Sequence, residues 1–214
     1  MLRKLVPLLV SLACTPPAFA QAAAPPPLKS IAATTAGMTH MPGLLPMDWD
    51  ARTGHLYLEV AMNGNAAHTR SQDYLYVNST PWSVGTSNLG EYGLDRGQMA
   101  PGVIVHFART GPKVLLVEPN LKFRSSSSDP AEQAAVYQSF PVSVLAGFTV
   151  AAQDPDGTVL VDATQLFLTD VHNLAAALAE GQQGVYRVDP SRSTIVLDDT
   201  KDFPKNSVVE AELT

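Results

Sequence analysis

Along most of the chain, apolar and polar residues alternate over short stretches broken by turn residues. That is the pattern of strands with one buried face. His55-Leu56-Tyr57-Leu58-Glu59-Val60 is the clearest case and follows the turn Ala51-Arg52-Thr53-Gly54. Asn63-Gly64-Asn65 is expected to break it, and Tyr74-Leu75-Tyr76-Val77 reads as the next strand. Val103 to Ala108 and Lys113 to Glu118 flank Arg109-Thr110-Gly111-Pro112. Phe148 to Ala152 and Thr158 to Asp162 flank Asp154-Pro155-Asp156-Gly157. Both arrangements predict hairpins. Val185 to Val188, Thr194 to Asp198 and Val208 to Leu213 complete the strands. In the last, Val209, Ala211 and Leu213 face one way and Glu210 and Glu212 the other. The sequence stops at Thr214 inside that pattern, so a sheet truncated at its C-terminus is expected.

Two helices interrupt the strands. Asp129-Pro130-Ala131-Glu132 has the cap, first-turn proline and acidic third residue of a helix start, and the helix should reach about Ser139. From Asp170 to Glu180, Val171, Leu174, Ala175 and Leu178 form one apolar stripe, and Gly181 ends it. The element order predicts an α+β fold, a mainly antiparallel sheet with two short helices.

The N-terminus reads as a targeting segment. Arg3 and Lys4 precede the apolar stretch Leu5 to Ala13, and Ala18-Phe19-Ala20 forms a small-x-small cleavage site. Residues 1–20 are therefore expected to be a signal peptide, cleaved after Ala20 with Ala18 and Ala20 as the small residues of the site, which places the protein in the periplasm or outside the cell. A lipid anchor at Cys14 is the alternative. It fits less well, because the leucine of Ser11-Leu12-Ala13 sits one place late. Residues 21–40 read as a flexible Ala/Pro leader and residues 41–214 as one folded module. Cleavage removes the single cysteine, and with it any thiolate metal ligand or thiol nucleophile.

Composition narrows the function. With 45% hydrophobic and 16% charged residues, the 214-residue chain has the makings of a globular core. A net charge of −6 opposes nucleic-acid binding. No apolar run reaches the roughly 18 residues of a membrane-spanning helix.

Candidate chemistry is sparse. The histidines are His40, His55, His68, His106 and His172, and none begins His-Glu-x-x-His. Ser87 lacks the glycine that completes a nucleophile elbow. His106 reads as a structural histidine in a strand, and His172 as a residue flanking the helical stripe. Asp154 and Asp156 read as turn residues rather than calcium ligands. Asp198, Asp199 and Asp202 read as a solvated acidic face. Asn78-Ser79-Thr80 matches a glycosylation sequon, a pattern common by chance. The most distinctive string is Glu91-Tyr92-Gly93-Leu94-Asp95-Arg96-Gly97-Gln98. Gly93 and Gly97 permit tight turns around Asp95 and Arg96, which are placed to lock a loop or wall a substrate.

Several strings together resemble a known family. They are Gly43-Leu44-Leu45-Pro46, Asp48-Trp49-Asp50, Gly93-Leu94-Asp95-Arg96-Gly97-Gln98, Gly111 to Asn120, Ser139 to Phe148, Val159 to Thr164, and Phe203-Pro204-Lys205-Asn206. In this order they resemble the N-terminal domain of unknown function of large secreted bacterial zinc-dependent metalloproteases, over roughly residues 41 to 214. The resemblance implies a parent hydrolase whose His-Glu-x-x-His-x-x-Gly-x-x-His site lies in a later domain. That motif does not occur in this sequence. The resemblance therefore assigns no catalytic residue, no metal ligand and no cofactor here; zinc belongs to the downstream domain. It implies a non-catalytic module whose partner is the catalytic domain of the same polypeptide, with peptide substrate as a further contact. The rival expectation is a free-standing envelope module that binds extended peptides at an exposed sheet edge.

Overall fold

The structure, a computed structural model, describes residues 27–65, 68–82 and 96–214. The expected signal peptide, with Ala18 and Ala20, lies outside the described residues. Order begins earlier than the sequence indicates. Residues expected to belong to a flexible leader form a one-turn helix, α1 (Ile31–Thr34), capped by the Ser30 hydroxyl. Ile31 is buried, and its N–H donates to Asp154 Oδ1 at 2.9 Å. The leader is thus pinned to a distant turn.

Strands follow: β1 (Thr39–Met41), β2 (Met47–Asp50) and β3 (His55–Val60). Asp50 shapes the β2–β3 turn by accepting the Arg52 N–H at 3.0 Å, while its carbonyl takes the Gly54 N–H at 2.8 Å. Asn63-Gly64-Asn65 does not end the sheet as expected. It forms β4 (Asn63–Asn65), paired with β5 (His68–Arg70). Next come β6 (Tyr74–Tyr76), β7 (Val103–Thr110) and β8 (Lys113–Glu118). The Ser71 hydroxyl takes the Phe107 N–H at 2.9 Å, so one buried serine bridges the gap between β5 and β6 along β7.

Helix α2 (Pro130–Ser139) starts as predicted, with Asp129 Oδ1 accepting the Ala131 N–H at 2.8 Å. It buries no residue and projects between β8 and β9 (Ser143–Gln153). After β10 (Val159–Asp162) come α3 (Thr164–Phe167) and α4 (Leu174–Glu180). Asp170 caps α4 through both carboxylate oxygens, on the N–H groups of Leu174 and Ala175. The described residues thus hold four short helices rather than two.

The C-terminal part departs most from expectation. Val185 to Val188 is no strand, and Val185 is almost fully exposed. Only Thr194–Ile195 (β11) of the next predicted strand pairs as a strand, and Leu197–Asp199 turn into a 3-10 helix. The single strand expected over Val208 to Leu213 is split. β12 (Lys201–Phe203) pairs with β13 (Asn206–Val208), whereas β14 (Ala211–Glu212) pairs with β11. The switch occurs at Glu210, whose N–H goes to the Thr200 hydroxyl at 3.2 Å and whose carbonyl takes the Val196 N–H at 2.9 Å. Thr200 is fully buried, so this exchange of partners is fixed from inside.

Among the described residues all sheet pairings are antiparallel, and ten strands form one curled half-barrel ordered β1-β2-β3-β10-β9-β8-β7-β5-β4, with β6 also on β7. The fold is α+β. In its core Met47, Leu56, Leu58, Val105, Phe107, Val114, Leu116, Phe148 and Val161 meet. A smaller cluster of Ile31, Ala152 and Leu160 lies separately, under α1. No helix among the described residues is long and apolar enough to cross a membrane.

Candidate functional site

Strand length sets up the first site. β9 runs eleven residues, but β10 pairs only with its end, at Val150, Ala152 and Gln153. Residues Ser143 to Thr149 are covered by β8 on one side. On the other side no strand pairs with them among the described residues. A groove of about 760 Å³ passes this edge and continues across the sheet to Glu118 on β8, Val103 on β7 and Tyr76 on β6. Five consecutive β9 residues, Leu145 to Thr149, line it, so it runs along the strand edge. Gln165, Leu166 and Val171, beyond β10, form the facing wall. Phe148 forms a buried part of the lining, 6.0 Å from Phe107 between ring centres.

Polar groups mark the rim. Glu118 and Asp162 line the groove. Asp162 is fixed from behind: His55 Nδ1 lies 2.7 Å from its Oδ2, and the Thr164 hydroxyl donates to its Oδ1 at 2.6 Å. Thr164 is buried and also takes the Leu56 N–H at 2.9 Å. Unpaired strand edges with apolar flanks are surfaces on which another strand can add. The apolar surface continues before the groove. Leu121, Phe123, Tyr137, Phe140, Val142, Val144 and Leu145 are all exposed, and Phe123 stacks on Phe140 at 4.0 Å.

A second cluster sits on β1, β2 and β3. Strand register puts His40 across from Asp48. Glu59 lies one strand further on, with its N–H bound to Pro46 O at 2.8 Å. His40 Nδ1 is 3.0 Å from Asp48 Oδ1 and 3.9 Å from Glu59 Oε1. Burial, and then the neighbouring Asp48 carboxylate, raises the Glu59 carboxyl above its ordinary value. Sequence reading missed this group, because the three residues fit no local motif and meet only through strand register.

The residues singled out from sequence fare unevenly. Gly93 and Asp95 lie outside the described residues. The Arg96 guanidinium sits 5.8 Å over the Trp82 ring. Gly97 has φ of +80° and donates its N–H to Thr80 O at 2.7 Å, a left-handed turn that favours glycine. Arg96 and Gly97 therefore tie down a turn and do not line the groove. Asp202 is no solvated face: its Oδ1 takes the Leu44 N–H at 3.1 Å and the Ser207 hydroxyl at 2.6 Å. A side chain on Gly43 would collide with it, so the glycine allows this close approach. Asp154 and Asp156 shape the β9–β10 turn, as read from sequence.

His106 alternates with the core residues Val105 and Phe107 on β7 and is not satisfied. Its Nδ1 is buried without a hydrogen-bond partner, 3.8 Å from Asp73 Oδ1. Burial lowers its pKa first, the Arg70 charge adds to this, and Asp73 opposes it. The unfolded chain takes up a proton near the usual value of about 6.5, and the folded chain only at lower pH. Its contribution is therefore complete above that value and is lost as pH falls below it. Melting temperatures of the wild type and His106→Gln between pH 7.5 and 5 are expected to converge on acidification. Parallel curves exclude the effect.

A family model described as a domain of unknown function, DUF5117, matches residues 97–214, more than half of the chain. The chain belongs to the DUF5117 family. No curated protein and no solved structure matches it. The DUF5117 match contains β7 to β14, hence all of β9 and most of the groove. It excludes β1, β2 and β3, so the His40–Asp48–Glu59 cluster lies outside the matched span.

Proposed function

We propose that this DUF5117 protein is a non-catalytic docking module of a periplasmic or secreted zinc-dependent metallopeptidase, supporting a catalytic domain outside residues 1–214. The observation that carries the reading is the bare edge of β9 beside an apolar groove. Strand addition gives affinity through main-chain hydrogen bonds and specificity through side-chain pockets. The exposed apolar run from Leu121 to Leu145 fits a contact with a folded partner, because patches of that kind mark interaction surfaces. The sequence resemblance supplies the identity of that partner. A separate extended peptide at the same edge is the second reading, favoured by the five consecutive β9 residues along the groove.

The test begins with the coding sequence beyond the Thr214 codon. An open frame encoding His-Glu-x-x-His-x-x-Gly-x-x-His is the expected result. A stop codon directly after Thr214 sinks the peptidase reading. The edge itself is tested by Val144→Asp with Leu145→Asp. Both side chains are exposed, so stability should change by no more than about 0.5 kcal/mol each. Binding of the downstream domain is expected to weaken at least tenfold. Unchanged binding rejects the β9 edge as the docking surface.

A further inference from the structure

The cluster on β1, β2 and β3 has chemistry that docking leaves unused. Asp48 is 1% exposed, with one carboxylate oxygen on His40 and the other buried without a protein partner. A buried carboxylate left with an unpaired oxygen costs several kcal/mol unless a positive charge offsets it. No lysine or arginine among the described residues forms an ion pair with Asp48 or Glu59; the ion pairs of both run to His40. Asp154, from the β9–β10 turn, adds further negative charge near Glu59. The face therefore combines three carboxylates with one imidazole.

Geometry provides what charge requires. One ligand atom each from His40, Asp48 and Glu59 lies within 4.8 Å of the other two. Tetrahedral zinc with ligand bonds of about 2.0–2.2 Å sets its ligand atoms roughly 3.3 Å apart. The 3.0 and 3.9 Å separations from His40 Nδ1 bracket that value. We propose that His40 Nδ1, Asp48 and Glu59 bind one divalent cation of the zinc class, fastening β1 and β2 to β3. Mixed imidazole and carboxylate donors favour such an ion over calcium, which prefers an all-oxygen shell. His40 ligates through Nδ1 and keeps its proton on Nε2. Its side chain is about half exposed, which leaves an entry path and a coordination position for water.

The experiment titrates zinc ion alone into the chelator-stripped full chain by calorimetry, with melting temperature followed in parallel. One zinc per chain is expected, with a rise of several degrees at saturation. Glu59→Gln and His40→Ala should each weaken zinc binding at least tenfold. Glu59→Gln should also melt no lower than the wild type without metal, since it removes carboxylate repulsion. Asp48→Asn is a third probe. If it fails to fold, the other two variants decide. Absence of stoichiometric zinc uptake overturns the proposal. Equal zinc binding by wild type, His40→Ala and Glu59→Gln overturns it as well.

Discussion

Phe148→Ala is expected to cost about 3–5 kcal/mol. Phe148 is buried, lies opposite Val114 on β8, and packs against Phe107. It also stands just before β10 takes up the free edge of β9. Its removal breaks the apolar floor where the sheet has pairing on one side only. Water entering from the groove would limit the cavity term, which argues for the lower half of the range. Denaturant unfolding measures it: a loss below about 1 kcal/mol would mean that the groove floor is not part of the core.

Leu160→Ala should cost about 2–5 kcal/mol and, in addition, release the N-terminal segment. Leu160 is fully buried, yet it points away from the main core, into the small cluster with Ile31 and Ala152. Few groups cover it: α1 from above and Tyr57 from the side. Truncation therefore weakens the anchor of Ile31 and leaves the hydrogen bonds of Ile31 N–H to Asp154 and of Gln153 N–H to Lys29 O to hold the segment. Limited proteolysis should cut near residues 27–35 in the variant well before the wild type. Equal protection of that segment would show that α1 is held by something other than Leu160.

The two effects follow from features of unequal legibility. The β2–β3, β7–β8 and β9–β10 hairpins could be read because their turns carry local chemistry, such as Asp154-Pro155-Asp156-Gly157. Helix α2 could be read from its cap. Helix α1 could not: it is one turn long, and its anchor lies 123 residues away. The split of Val208 to Leu213 was hidden because alternation specifies a pleated surface and not a partner, while Thr200 dictates the exchange from another element. The groove was hidden for a similar reason. A bare edge arises from the difference in length between two paired strands, which no window of sequence displays. The same holds for His40, Asp48 and Glu59, which register brings together.

One consequence of the topology concerns the order of events during synthesis. β3 joins β10 at Val60 and Val159, partners roughly 100 residues apart in the chain. A ribosome adding about 5–20 residues per second leaves β3 waiting roughly 5–20 seconds for its neighbour. Throughout that interval the β2–β3 hairpin carries Leu56, Leu58 and Val60 on a ribbon with an open side. Newly made chains are thus most prone to association before their middle has emerged, and holding chaperones should engage the segment around residues 47–60.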